Sequence, residues 1–168
     1  MLTLSALYAV AAWTTITGLP QVPLDASHRR LINTLEAQGV SVRIEPKMVA
    51  EPCLLHLGTY TPAQKRVVVC QDPQGFTESS LNVLRHEAIH VIQDCRAGGL
   101  GGVMKAAAPL KQSYKQGQDH GLNMGAEFAP YVGMGASREV LELESEAISL
   151  SHIQTADQIA DEVSRVCS

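Results

Sequence analysis

Arg85-His86-Glu87-Ala88-Ile89-His90-Val91-Ile92-Gln93-Asp94 is the stretch that organises this chain. It contains His-Glu-x-x-His. On a helix, residues four apart share a face, so His86 and His90 can present two imidazoles to one point. Glu87 sits one step round from them. Zn²⁺ accepts two such nitrogens and a third protein ligand, and keeps one position for water. The metal acidifies that water, and Glu87 can take its proton. Leu81, Val83, Leu84, Ala88, Ile89, Val91 and Ile92 make the segment apolar enough for a buried helix. Thr77 suits an N-cap, and Gly98-Gly99 ends the run. A core helix with two hydrogen-bonded histidines is the competing reading. A Glu beside His in an apolar helix fits it badly, because a buried charge needs a partner.

At 168 residues the chain is long enough for one domain with a real core. We divide it into an apolar segment, residues 1–22, and a single domain, residues 23–168. A net charge of −4 and few aromatics argue against a nucleic-acid partner. Residues 1–20 carry no charge. They lack the basic start of a standard secretory signal. Thr14, Thr15, Thr17, Gly18 and Pro20 argue against a membrane span. The segment reads as packed on the domain, or as an arm docked on an assembly partner.

Cys53, Cys70, Cys95 and Cys167 form no Cys-x-x-Cys pair, which argues against a cysteine zinc site. Cys53 and Cys70 flank a hairpin pattern, and Cys95 and Cys167 end two helices. Pairing in that manner implies an oxidising setting, extracellular or within a particle. Four free buried thiols are the alternative.

The remaining punctuation predicts an α+β domain. Asp25 caps a helix with Leu31, Ile32 and Leu35 inward, ended by Gly39. Val40–Ile44, Cys53–Tyr60 and Arg66–Gln71 read as strands, the last two joined by Thr61-Pro62-Ala63-Gln64. Such a small mixed or antiparallel sheet would pack on the His-Glu-x-x-His helix. The glycine-rich run from Ala97 to Gly135 reads as a roof over a cleft or as mere connection, with one helix near Val103–Tyr114 interrupted by Pro109. Ser137–Ser151 and a segment capped by Thr155 read as C-terminal helices.

A third metal ligand has several candidates. His120 lies in the glycine-rich run. On the Ser137–Ser151 helix, Val140, Leu143, Ala147 and Leu150 define an apolar stripe. Glu146 falls inside it, roughly 60° from Leu143 at ~100° per residue. Glu144 points away on that wheel, Glu142 lies at the edge, and Glu139 suits the helix start. Glu146 is read as the ligand, with a rim carboxylate or salt-bridge partner as the alternative.

His86-Glu87-Ala88-Ile89-His90-Val91-Ile92-Gln93-Asp94 resembles the H-E-x-x-H-x-x-x-D helix of the thermolysin-type zinc peptidases, the gluzincins. Glu146-Ala147-Ile148-Ser149 is similar to the segment that carries their third ligand. The resemblance covers two short motifs. It implies a zincin-like fold in minimal single-domain form. It implies zinc at His86, His90 and Glu146, Glu87 as base, and Asp94 bracing a histidine. It further implies a peptide or protein substrate, hydrolysed as by a zinc metalloendopeptidase. Leu150 departs from the pattern, standing where an acid often supports the first histidine. Tyr114, His120, Tyr131 and His152 are candidates to assist the oxyanion. A structural or assembly subunit that keeps the fold, as in a virion, is the alternative from another class. An ester or peptidoglycan hydrolase with the same metal is a third.

Overall fold

The structure is a computed structural model that describes residues 22–47, 52–54, 56–72 and 75–168. The apolar segment 1–20, read above as packed or docked, lies outside the described residues. The described chain is α+β, with six α-helices and one three-stranded mixed sheet.

Helix α1 (Ala26–Ala37) starts where the Asp25 carboxylate accepts the His28 backbone N–H at 2.8 Å. It buries Leu31 and Leu35 completely. Strand β1 (Ser41–Pro46) follows, then β2 (Gly58–Thr61) and β3 (Arg66–Gln71). A short 3-10 turn, Pro62–Gln64, joins β2 to β3 where the turn residues stand. Strand β2 is shorter than the stretch Cys53–Tyr60, because residues 52–54 form a turn. The order is β1-β3-β2, with β1 parallel and β2 antiparallel to β3. Central β3 is covered on both sides, which its unbroken Val67-Val68-Val69-Cys70 run requires. Val67 and Val69 face the main core, while Val68 and Cys70 pack with Cys53.

Helix α2 (Glu78–Arg96) carries the His-Glu-x-x-His stretch. Thr77 caps it through a reciprocal box: its hydroxyl accepts from Ser80 N at 3.2 Å, and Ser80 Oγ accepts from Thr77 N at 2.8 Å. One side of α2 packs on β2 and β3, the other on α5 (Arg138–Ile153) and α6 (Ala156–Val166). Leu84, Ala88, Ile89, Val91 and Ile92 are all fully buried there.

The glycine-rich run holds two helices where one was expected. Pro109 does not interrupt the first but caps it: α3 is Leu110–Asp119, and α4 is Met124–Gly133. Both pack on α5. Contact is close at Gly117, where a Cβ would collide with Met124 Sδ and come 2.8 Å from Ser149 Oγ. Met124, Phe128 and Ile148 make a second apolar cluster there. Helix α5 is therefore buried on two sides, with Ala147 in the main core and Ile148 in the second cluster.

Cys53–Cys70 and Cys95–Cys167 are disulfides, as their flanking elements predicted. Two such bridges fit an oxidising setting. Among the described residues no helix is long and apolar enough to cross a membrane.

The two bridges close sequence separations of 17 and 72 residues. Cys95→Ser with Cys167→Ser should cost about 2–5 kcal/mol, and more than Cys53→Ser with Cys70→Ser, because the longer loop constrains the unfolded chain more. Urea unfolding of the two double variants measures the difference, and equal losses would contradict loop length as the cause.

Candidate metal centre

His86 and His90 project from α2 toward the seam it shares with α5. Their Nε2 atoms stand 3.1 Å apart. From α5, Glu144 brings Oε2 to 3.2 Å from His86 Nε2 and Oε1 to 3.5 Å from His90 Nε2. An ion held tetrahedrally at ~2.0–2.1 Å from N and O ligands sets those ligands about 3.3 Å apart. The three observed separations bracket that value. These residues form the one group of His, Cys, Asp and Glu among the described residues that can hold a metal ion.

The polar bookkeeping of the seam also asks for a cation. Glu144 Oε2 is buried and accepts no hydrogen bond from the described residues. The two imidazole nitrogens can pair with each other only if one carries a proton and the other a lone pair. A cation between the three atoms satisfies all of them. Without one, protons take its place. Burial disfavours the His90 imidazolium, but the Glu144 carboxylate outweighs it and raises the pKa to about 9. Burial likewise opposes ionisation of Glu144, and His86 and His90 beside it hold the carboxyl well below the usual range.

Glu87 lies beside this group without joining it, 6% exposed. Burial pushes its carboxyl up, offset in part by His86 and His90. Strand β2 passes directly over it. A Cβ on Gly58 would collide with Val83 and come within 3.2 Å of Glu87 Oε1, so glycine is what lets the strand approach. Tyr131 of α4 stands near Glu144 and Glu87. Burial raises its phenol, and the Glu144 and Glu87 carboxylates nearby raise it further.

No protein-family model, curated protein or solved structure matches the chain.

Glu146, predicted as the third ligand, is turned away from the histidines. It accepts from Arg96 Nη1 at 3.0 Å, from Gln93 Nε2 at 2.9 Å and from Ala107 N at 3.2 Å. The cost of burying it is met by a guanidinium and two N–H donors, not by a metal. The stripe used to orient α5 was misleading because Val140 is 39% exposed. Glu144 precedes Ala147 by three and Ile148 by four, so it faces the seam between the two clusters. Glu146 lies about 200° round the helix from it.

Asp94 braces no histidine. Its carboxylate accepts the Tyr60 hydroxyl at 2.7 Å and the Gly101 and Gly102 backbone N–H groups at 2.7 and 3.0 Å. The group against His90 Nδ1 is Gln93 Oε1, at 2.7 Å. Gln93 lies one turn past His90, the signal by which sequence could have found it. Of the oxyanion candidates only Tyr131 reaches the centre. Tyr114 stacks edge-on against Phe128, and exposed His120 caps α3. His152 meets the Ile148 carbonyl. Glu142 pairs with Arg138, and Glu139 is exposed at the start of α5.

Two expectations follow. Glu144→Ala should weaken metal binding by more than about 100-fold, the upper end of what loss of an outer partner costs, whereas Asp94→Asn should keep the metal and lower the melting temperature. Chelator competition measures the first, and equal affinities in the two variants would refute the ligand set. In metal-free protein the raised His90 pKa stabilises the fold fully below its ordinary value of 6.5, and that stability is lost as pH rises through about 9. The melting temperature of chelator-treated protein should fall across this window, and less so in Glu144→Gln.

Proposed function

We propose that the chain is a zinc-dependent peptidase of thermolysin-like, minimal zincin type, with His86, His90 and Glu144 as ligands and Glu87 as general base. The observation that carries this reading is a carboxylate, Glu87, beside three convergent ligand atoms but outside their set. A structural zinc site has no use for such a group. Bound zinc would supply Lewis acidity, polarising a carbonyl and making water nucleophilic near neutral pH.

Glu87 then has a defined task. It takes one proton from the attacking water and passes it to the amine nitrogen as the C–N bond breaks. Its burial favours a carboxyl that holds this proton between the two transfers. Tyr131 donates its phenol O–H to the oxygen that gains charge in the transition state. Strand β2 is the sheet edge nearest Glu87, since β3 lies between its neighbours. Leu57 O accepts from Cys70 N, so Leu57 and Thr59 turn their main-chain groups toward β3. Gly58 and Tyr60 then turn theirs to the other side, where the Tyr60 N–H meets the Glu87 carboxylate and Gly58 can pair with an extended peptide.

Glu87→Gln should keep the fold and the metal and lose about 10²–10⁴-fold in hydrolysis of a peptide library. Tyr131→Phe should lower kcat while leaving metal content unchanged. Zinc bound at full occupancy with no cleavage by wild-type protein would instead favour an assembly role. Cleavage by Glu87→Gln at the wild-type rate would remove Glu87 as base.

A further inference from the structure

Gln93 is fully buried on α2. Its amide meets three groups. Nε2 lies 3.0 Å from the Leu143 carbonyl oxygen and 2.9 Å from Glu146 Oε2. Oε1 lies 2.7 Å from His90 Nδ1. A carbonyl and a carboxylate only accept, so the amide nitrogen must face them. Flipping the amide would leave two buried acceptors against an oxygen, which is costly. Oε1 is then obliged to face His90, and an amide oxygen also only accepts. His90 Nδ1 must therefore carry a proton. In the neutral ring the lone pair falls on Nε2, which faces His86 and Glu144.

Glu146 is held as firmly as the amide it holds. Arg96 donates to it at 3.0 Å, and Ala107 N stands 3.2 Å from each carboxylate oxygen. Arg96 is fixed in turn by Glu162 at 2.6 Å. The carboxylate cannot turn from Gln93 without breaking these contacts.

We propose that Glu146 and Gln93 form a positioning relay that fixes His90 as its Nδ1–H tautomer and aims Nε2 at the metal position. The relay rests on the metal reading of the site. It gives the buried acid of α5 a role at the centre without contact to the ion. A mere strut between α2 and α5 would add stability but leave the tautomer free.

The test uses the full chain, with zinc alone as probe. Gln93→Leu should raise the zinc dissociation constant about 10–100-fold, as loss of an outer-shell partner does. The nitrogen–proton correlation spectrum of zinc-loaded wild-type protein should show a slowly exchanging His90 Nδ1–H, which Gln93→Leu loses. Gln93→Glu sets two carboxylates against each other and should weaken zinc binding. Adding Glu146→Gln restores a donor opposite the new acceptor and should recover most of that loss. Unchanged zinc affinity in Gln93→Leu, or an Nε2–H tautomer in wild type, overturns the relay. If wild type takes no zinc, the metal reading fails separately. The tautomer, read in metal-free protein at a pH where the His90 ring is neutral, then still decides the relay. If Gln93→Leu does not fold, the paired exchange and the wild-type spectrum decide.

Discussion

A helix buried on both sides must find a partner for every polar group it carries inward, and α2 carries several. Glu87, His90, Gln93 and Asp94 are all buried on it, among residues that are otherwise apolar. Each unpaired group would cost a few kcal/mol, a large share of a domain's net stability. The surrounding elements are set where they meet these demands. Asp94 ties down β2 through Tyr60 and the glycine loop through Gly101 and Gly102. Gln93 ties down α5 through Leu143 and Glu146. Arg85 reaches His28 of α1 and the Ser151 carbonyl of α5, and Arg96 reaches α6 through Glu162.

One demand is met differently. The His86, His90 and Glu144 atoms converge on a point where no N–H donor among the described residues satisfies Glu144 Oε2. For Ser80, Gln93 and Asp94 of α2, burial is closed by hydrogen bonds from the protein. Here a cation could meet it, or protons in its place. That contrast separates the parts of the helix that hold the fold from the part that could hold a metal ion.

The two acids of α5 show how the distinction works. Glu146 is buried and Glu144 partly buried, only two residues apart. Glu146 meets Arg96, Gln93 and a backbone N–H, so its charge is neutralised within the protein. Glu144 meets two histidines that themselves need a ligand or a proton. Identical side chains on one helix take opposite roles because their surroundings differ.

Local signals sufficed for much of the chain. Asp25, Thr77, Ser137 and Thr155 cap the helices they precede, because a capping side chain needs only its own next turn. The pair His86 and His90 shares a face of α2 by helical geometry alone, and Glu87 falls beside them for the same reason. The disulfide partners were legible from the elements they end. The third ligand was not. A helical wheel finds the inward side of a helix that has one, and α5 has two, facing the main core and the Met124–Phe128 cluster. The second cluster is built by α3 and α4 from the glycine-rich run, where the sequence reading has one helix and the structure two. Only once α5 and β2 are packed on α2 does Glu144 face the histidines, Glu146 face Arg96, and Asp94 face Tyr60. Which acid can bind a metal is a property of what stands opposite it, and that is decided by tertiary contacts between residues far apart in the chain.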